Sequence, residues 1–217
     1  TAPREIRSAA FAGCFDYDVE NCHYSLLSQL AYRCNQFTPA IDDYLLRKPE
    51  IRHQLAADLG VSVKTIKGTL IAAIYGASKR ANVYYKGTQE LKPAILRLMG
   101  TPERARALFD HPLFAGLLAD ISRVKQPVID SMPKNRGRVV NPFGKALASK
   151  DQNEILAHIL QGAESAVLHT VIREVGDKLT LLMHDGWVSK ERLDVEALSD
   201  VIYQQTQFVV VLEESEL

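Results

Sequence analysis

The strand-forming segments of this chain lie far apart in the sequence, and this separation is what most constrains its fold. Residues 11–19 (FAGCFDYDV) and 178–189 (KLTLLMHDGWVS) are rich in β-forming residues, whereas most of the region between them has apolar residues at helical spacing. A chain with runs of helices between such segments is typical of the α+β class. We therefore expect an α+β protein, without an internal repeat or a low-complexity segment.

Capping and turn residues divide the chain into predicted elements. Ser62 suits a helix N-cap and Gly76 suits a helix end, so 62–76 is a strong helix candidate. In chain order we predict a strand at 11–19, helices at 21–34, 40–58 (broken near Pro49) and 62–76, two or three short helices in 90–125 punctuated by Pro93, Gly100, Pro102 and Pro112, a turn-rich basic connector at 126–147, a helix at 150–175, a strand at 178–184, a turn at Asp185-Gly186, a short strand at 187–189, a helix at 190–206 and a last strand at 207–214.

Composition and charge narrow the setting of the protein. The 217 residues suffice for one large domain or two small ones, and 47% of them are hydrophobic. Lys+Arg and Asp+Glu each number 26, which argues against a simple cationic nucleic-acid clamp but leaves room for a locally positive groove. The three cysteines, Cys14, Cys22 and Cys34, lack a paired metal-binding spacing, which favours a reducing compartment.

The sequence offers no sign of membrane insertion or export. No apolar run reaches the roughly 20 residues of a membrane span, and no signal peptide opens the chain. We therefore expect a cytoplasmic protein. The abrupt start, TAPREIRSAA, suggests a fragment or one subunit of a larger assembly.

Carboxylates stand at the ends of two apolar strands. Asp185 follows His184 at the tip of a predicted hairpin, and Asp16 and Asp18 end the first strand. If these strands are neighbours in one sheet, the carboxylates lie a few ångströms apart and repel each other, and a divalent cation would relieve the repulsion. Oxygen ligands suit Mg²⁺, and two such ions held by carboxylates are typical of phosphoryl and nucleotidyl transfer.

Both acidic segments also have a simpler interpretation. Asp-Gly forms a good hairpin turn without any catalytic role. Asp16 and Asp18 can cap a helix that begins near Asn21. The sequence alone leaves these alternatives open.

One face of the helix predicted at 62–76 suits a nucleoside triphosphate. Lys67, Ile71 and Tyr75 are four residues apart and share a face, with Lys64 one turn earlier. Lys67 and Tyr75 lie roughly 12 Å apart along the axis at 1.5 Å per residue, about the span from a triphosphate to its base. The alternative is a solvated lysine and a core tyrosine.

Three motifs occur in order along the chain: DVENCHYSLLSQLA (18–31), KGTLIAAIYGA (67–77) and MHDGWV (183–188). Together they resemble three motifs of family A (pol I-like) DNA polymerases. These are the segment with the first catalytic aspartate, the fingers helix with its Lys, seven residues and Tyr-Gly, and the His-Asp hairpin with the second metal-binding aspartate. The spacings, 67 − 18 = 49 and 185 − 75 = 110, resemble the compact DNA polymerases. The similarity to single-subunit phage-type RNA polymerases is more distant.

Weaker similarities extend the resemblance over about residues 11–217. LQGAESAVL (160–168) resembles the Gln-Gly helix that precedes the family's His-Asp hairpin. KNRGRVVNPFG (134–144) resembles the Gly-Arg-rich segment after the fingers, and QFVVVLEESEL (207–217) resembles the terminal strand.

The resemblance implies a right-hand polymerase palm, built on an antiparallel sheet, with helical fingers and with the thumb absent from this chain. It places the palm at 1–35 and 131–217 and the fingers at 36–130. It also implies a bacterial or phage-infected cell. The expected partners are a primer–template nucleic acid, a dNTP or NTP, and a further polypeptide that supplies the thumb in the same or another chain.

The resemblance also implies roles for individual residues in a template-directed nucleotidyltransferase. Asp18, Asp185 and the Val19 carbonyl would hold two Mg²⁺ ions, for which Mn²⁺ can substitute. Lys67 would be catalytic, neutralising charge on the leaving group. The remaining expected contacts are Lys64, Lys67, Ile71, Tyr75 and His23 for the nucleotide, and Gln161, Arg136, Arg138 and His184 for the nucleic acid.

The chain departs from the family pattern at four positions. Val63 stands where the family has an arginine, Ile71 where it often has an aromatic residue, and Gly186 where it has a glutamate. His23 takes the place of the residue that reads the sugar. A bulky side chain there favours exclusion of ribose, so a DNA polymerase is favoured over an RNA polymerase. The simpler interpretation of His23 is a helix histidine hydrogen-bonded to a neighbour.

Two other functions compete with the polymerase. QLAADLGVSVKTIKGTL (54–70) is similar to a helix-turn-helix, with Ala57, Gly60 and Ile66 at its small, turn and core positions. Such a DNA-binding regulator would use 62–72 as its recognition helix, but it accounts for neither acidic motif. The third candidate is a non-catalytic polymerase-like subunit, against which the presence of both aspartates and Lys67 argues.

Overall fold

The computed structural model of the chain describes residues 4–217, and its helices and strands have the predicted α+β character. The α-helices are α1 (Arg4–Ala10), α2 (Cys22–Arg33), α3 (Pro39–Leu46), α4 (Lys48–Leu59), α5 (Val63–Ile74), α6 (Ala94–Met99), α7 (Pro102–Asp110), α8 (Pro112–Ser131), α9 (Gln152–Val175) and α10 (Val195–Thr206). The strands are β1 (Phe15–Val19), β2 (Tyr84–Lys86), β3 (Gln89–Leu91), β4 (Lys134–Asn135), β5 (Arg138–Val140), β6 (Ala146–Leu147), β7 (Leu179–Leu182), β8 (Gly186–Ser189) and β9 (Leu212–Glu216).

The sheet that carries the acidic strands is antiparallel throughout. Within residues 4–217 it has four strands in the order β7-β8-β1-β9. The two acidic segments, far apart in the sequence, are therefore neighbours in space. Tyr17 and Trp187 lie opposite each other on one face, are fully buried, and stack with ring centroids 5.6 Å apart.

The chain divides into two compact units. Unit 1 comprises residues 1–29, 141–145 and 160–217, and unit 2 comprises 30–140 and 146–159. The boundaries predicted for the palm and fingers were 35/36 and 130/131. That unit 1 is a polymerase palm and unit 2 its fingers stays a prediction.

Unit 2 contains the strongest predicted helix almost where the sequence placed it. The Ser62 hydroxyl accepts a hydrogen bond from the Thr65 amide at 3.1 Å and so caps α5. Gly76, with φ +78°, follows the helix end. Ile66 and Leu70 are buried and hold the helix in the core of its unit.

The predicted start of the connector was wrong because burial of a helix overrides a local signal. The connector predicted from 126 begins only after α8, which continues through Pro127 to Ser131. Val124 and Val128 are fully buried on this helix, and their burial offsets the hydrogen bond that proline removes. The rest of the connector folds into the β4-β5-β6 sheet.

The C-terminal strand and helix also differ from prediction. The predicted strand at 207–214 is displaced to β9, because the backbone of Val209 bonds to the Gln29 side-chain amide and not to a neighbouring strand. The helix predicted from 190 begins at Val195, where the Asp194 side chain accepts from the Ala197 amide. The first strand begins at Phe15 and not at 11, and the β2–β3 hairpin was not predicted.

One helical stretch among the described residues, 152–178, is long and apolar enough to cross a membrane by length and composition alone. Of its apolar window, 61% is buried inside the protein, as is typical of a core helix.

Candidate active site

A tight hairpin joins β7 to β8 and carries the second acidic motif. The Met183 amide donates to the Gly186 carbonyl at 2.8 Å, so His184 and Asp185 form the tip. The hairpin is confirmed, but the predicted turn at Asp185-Gly186 is shifted by one residue, because Gly186 is the first residue of β8. His184 is exposed.

Gly186 is needed for close packing between strands. It lies opposite Asp18, and a Cβ at Gly186 would collide with the Tyr17 carbonyl oxygen and lie 3.2 Å from Asp18 Oδ1. This contact explains the glycine at position 186, since no larger side chain fits against β1 there.

Asp18 lies on β1 and Asp185 lies in the hairpin tip just before β8, so the two candidate metal-binding aspartates lie at the same end of two neighbouring inner strands. Asp18 is in register with Gly186, the residue that follows Asp185. The Val19 amide donates to the Asp185 carbonyl at 2.8 Å, which ties the backbones of the two acidic motifs together. Both aspartates are partly exposed, so solvent and a ligand can reach them. Asp16 lies on the same face of β1, opposite Val188 and Ser215.

The pKa of the buried Cys22 thiol is affected by the carboxylates of this region. Burial raises its pKa well above the usual range, and the carboxylates of Glu164, Asp185 and Asp18 raise it further. Cys22 therefore stays protonated and is no nucleophile at neutral pH.

The donor set suits a cation that is completed by its substrate. Within residues 4–217, no three His, Cys, Asp or Glu side chains are placed to hold one metal ion. Mg²⁺ is commonly bound by one or two carboxylates together with substrate phosphates, and not by an all-protein cage. Asp18, Asp185 and the Val19 carbonyl fit this kind of site.

Two acidic neighbours of the site were missed in the sequence. Glu213 lies in register opposite Asp18 on the other side of β1. Glu164 on α9 lies 3.4 Å from His23 Nε2, and both side chains are largely buried. The pair fits the simpler interpretation of His23, a helix histidine bonded to a neighbour. The acidic run at 213–216 was a visible signal, whereas the pairing of Glu164 with α2 was not.

The Gln-Gly pair of α9 is held against a neighbouring turn. Gln161 is exposed. Gly162 is buried against the Asn141 side chain, with which a Cβ at this position would collide. The Asn141 side-chain oxygen accepts from the Phe143 and Lys145 amides. The glycine thus fixes the turn at 141–145 to α9.

In unit 2, the predicted nucleotide-binding residues share the outer face of α5. Lys64 and Lys67 are exposed, and Ile71 leaves 47% of its surface accessible despite being apolar. Tyr75 is half-buried at the C-cap, between the core and the solvent. A face with two cations, an apolar residue and a phenol is open to a ligand.

The end of that helix is tightly supported. A Cβ at Gly76 would collide with the Asn153 side chain, and Asn153 accepts a hydrogen bond from Lys125. Burial lowers the pKa of Lys125. This packing explains the glycine after Tyr75.

The basic residues Arg136 and Arg138 lie on a hairpin of unit 2. Arg136, with φ +49°, and Gly137, with φ +76°, form the turn between β4 and β5, and both arginines are exposed. Their positions allow contact with phosphates, but the residues around them do not identify a ligand.

The rival regulator has a matching local geometry with one mismatch. Gly60, with φ +60°, links α4 to α5, as a helix-turn-helix requires. Ile66 is fully buried, but Ala57, expected at the contact between the helices, is exposed while Ala56 is buried.

The structure brings together some of the predicted residues and divides the others between units. Unit 1 holds Asp18, Val19, His23, Gln161, His184 and Asp185, and unit 2 holds Lys64, Lys67, Ile71, Tyr75, Arg136 and Arg138.

Neither a search against models of known protein families nor a search of curated proteins found a match to the chain.

Proposed function

We propose that the chain is the palm and fingers region of a template-directed nucleotidyltransferase that extends a primer 3′-OH. The observation that carries the proposal is the register of β1 with β8, which sets Asp18 beside Gly186 and bonds the Val19 amide to the Asp185 carbonyl. Two carboxylates at the same end of neighbouring strands are the arrangement that nucleotidyl transfer needs.

Asp18, Asp185 and the Val19 carbonyl would hold two Mg²⁺ ions, with Mn²⁺ as a substitute. When bound, the ions supply activation of the 3′-OH and stabilisation of the pyrophosphate. The aspartates themselves fix the position of that charge, because the strand pairing on both sides of β1 leaves Asp18 little backbone freedom.

The remaining residues would position the reactants. Lys64 and Lys67 would bind the triphosphate, and Lys67 would offset charge on the leaving group. Ile71 and Tyr75 would contact the nascent base pair. Gln161 would contact minor-groove acceptors shared by all correct pairs, while Arg136 and Arg138 would bind template phosphates and His184 the primer end.

A DNA polymerase is favoured over a phage-type RNA polymerase. His23 is bulky and is held by Glu164, which supports exclusion of a ribose 2′-OH. A helix-turn-helix regulator is less favoured because Ala57 is exposed. We place the activity in the cytoplasm of a bacterial or phage-infected cell, with primer–template, dNTP and a thumb-bearing polypeptide as partners.

Primer extension with Mg²⁺, using dNTPs and NTPs side by side, tests the proposal on the full-length or partnered protein. Asp185→Ala should lower the extension rate by about 100- to 1,000-fold or more, the scale of losing one group that stabilises transition-state charge. Asp200→Ala removes an exposed aspartate of α10 and should leave the rate unchanged. Extension that survives in Asp185→Ala, or that never occurs in the unsubstituted protein, refutes the proposal.

A further inference from the structure

A cavity lies within unit 1, apart from the aspartates. It has a volume of about 240 Å³ and lies between α9, the turn at 141–145 and the end of α10. Its lining includes Phe143, His169, Thr170, Arg173, Gln205 and Phe208. Pockets that enclose a whole drug-sized ligand measure about 300–1,000 Å³, so this cavity suits a single ring system.

The Phe143 backbone is held in place, while its ring is left partly open to solvent. The Asn141 side chain accepts from the Phe143 amide at 3.1 Å and from the Lys145 amide at 2.9 Å, and Gly144, with φ +83°, closes the turn. Gly162 leaves the space in which Asn141 packs. A large apolar side chain that is 39% exposed on so constrained a turn is preorganised for a contact outside the chain.

A second ring and a cation continue the surface along α9. His169 packs edge-on against Phe143, with ring centroids 5.5 Å apart. Arg173 follows four residues later on the same helix face and is exposed. Within residues 4–217 Arg173 makes no ion pair, and Glu174 lines the adjoining cavity but not this one. The guanidinium is therefore available to an anion.

The inner wall of the cavity is apolar and rigid. Phe208 is 2% exposed, and Thr170 turns its hydroxyl to the Ala166 carbonyl at 3.1 Å, so its methyl group faces other neighbours. Gln205 supplies an exposed amide at the rim. An aromatic platform, an apolar wall, an amide and one unpaired guanidinium form the chemistry that binds a nucleotide, with the base in the cavity and the phosphate outside it.

We propose that this cavity binds one unpaired nucleotide of a single nucleic-acid strand, with its base stacked on Phe143 and its phosphate on Arg173. The inference goes beyond nucleotidyl transfer, because none of its residues belongs to the aspartate site. A strand is the preferred source, since one ring and one phosphate contact hold a free nucleotide weakly, whereas a strand adds contacts along its backbone.

Fluorescence anisotropy with a labelled oligothymidylate, in EDTA and without nucleotide substrates, tests this site on the whole chain. Phe143→Ala should weaken binding about tenfold, the scale of one base–aromatic stack. Arg173→Gln should reduce the slope of log affinity against log salt by about 0.7, the value for one phosphate contact on a single strand. The matched controls are Tyr203→Ala and Lys190→Gln, which alter exposed residues of unit 1 outside the cavity.

Three results would overturn the inference. The first is that the labelled oligomer does not bind. The second is that Phe143→Ala weakens binding no more than Tyr203→Ala does. The third is that free dTMP displaces the labelled oligomer at the same concentration as the unlabelled oligomer does. Unchanged affinity of Phe143→Ala for blunt duplex DNA supports an unpaired nucleotide. Because EDTA removes the metal ions, the binding result stays readable if primer extension fails, and loss of this site leaves the Asp185 test intact.

Discussion

Tyr17 links the centre of β1 to two distant parts of unit 1. Its hydroxyl donates to Glu214 Oε2 at 3.0 Å and accepts from the Leu193 amide at 2.7 Å. Its ring is fully buried against Trp187. Burial, together with Glu214, raises the pKa of Tyr17 to about 12 from the usual 10.0.

Tyr17→Phe should lower the free energy of unfolding at neutral pH by about 1–3 kcal/mol, because the Leu193 amide loses its acceptor. The folded chain holds the phenol proton more tightly than the unfolded chain, so the contribution of Tyr17 to the free energy of unfolding is complete below about pH 10. This contribution falls as the pH rises towards 12, by about 1 kcal/mol per pH unit. Urea titrations across this window should therefore show the gap between the two proteins narrowing.

The matched control for Tyr17→Phe is Tyr203→Phe, which removes the hydroxyl of an exposed tyrosine on α10. It should change stability at neutral pH by less than about 0.5 kcal/mol. A gap for Tyr17→Phe that stays constant up to pH 12 would contradict the account of Tyr17 as a buried, proton-holding phenol.

Single residues of the candidate site differ in how far the sequence reveals them. Asp18 and Asp185 interrupt apolar strands, so their carboxylates were visible as features that burial alone would disfavour. Gly186 was misread as a turn residue, because its close approach to the Tyr17 carbonyl depends on strand register. Glu164 and Glu213 gain significance only through partners on other elements, which no local pattern encodes.

At the scale of elements, Asp120 of α8 caps a different helix. Its Oδ2 accepts from the Ala40 amide at 2.7 Å and the Ile41 amide at 3.1 Å in the first turn of α3. The N-cap residue Thr38 makes no capping hydrogen bond with its side chain. The buried Asp120 on α8 therefore acts as the N-terminal cap of α3.

Asp120→Ala should destabilise the protein by about 2–4 kcal/mol, since it leaves two amides at the start of α3 without an acceptor and removes the partner of Arg123. Asp120→Asn keeps one acceptor oxygen and should lose less. Urea denaturation provides the measurement. Asp110→Ala, at an exposed aspartate that ends α7, is the control and should be nearly neutral. Equal losses at Asp110 and Asp120 would exclude the capping role.

Element boundaries were predictable where the signal is local and failed where it is not. Ser62 and Gly76 act on their own helix, so α5 was placed within two residues. The segment from 126 was predicted as a connector, but α8 continues through Pro127 because burial of its neighbours outweighs the lost hydrogen bond. The apolar run before β9 was read as a strand, yet the Gln29 side chain satisfies its backbone.

At the scale of the whole molecule, unit 1 is assembled from three separate stretches of sequence, 1–29, 141–145 and 160–217. Hydrophobic periodicity identifies helices and strands, but it carries no information on which distant segments join. The motif order suggested a division into palm, fingers and palm. It did not separate the turn at 141–145, where Asn141 packs against Gly162 of unit 1, from residues 131–140 and 146–159, which lie in unit 2.

The two aspartates are 185 − 18 = 167 positions apart in the sequence, so we expect cation binding to depend on folding of unit 1. In the unfolded chain, a loop of that length must close before both carboxylates can meet one cation, which costs entropy. In the folded chain, the pairing of β1 with β8 has already met this cost. A divalent cation should therefore bind the folded state preferentially and stabilise it.

Mn²⁺ at about 100 times its Kd should raise the free energy of unfolding by about 2.7 kcal/mol and Tm by about 5–10 °C. Thermal unfolding followed by circular dichroism, with and without MnCl₂, measures the shift. Asp18→Asn should lose most of it, because one of the two shared carboxylates is gone, whereas Asp200→Asn, at an exposed position on α10, should retain it. A shift of equal size in both variants would mean that Mn²⁺ binds elsewhere on the chain, and the carboxylate pair would then lose its role as the cation site.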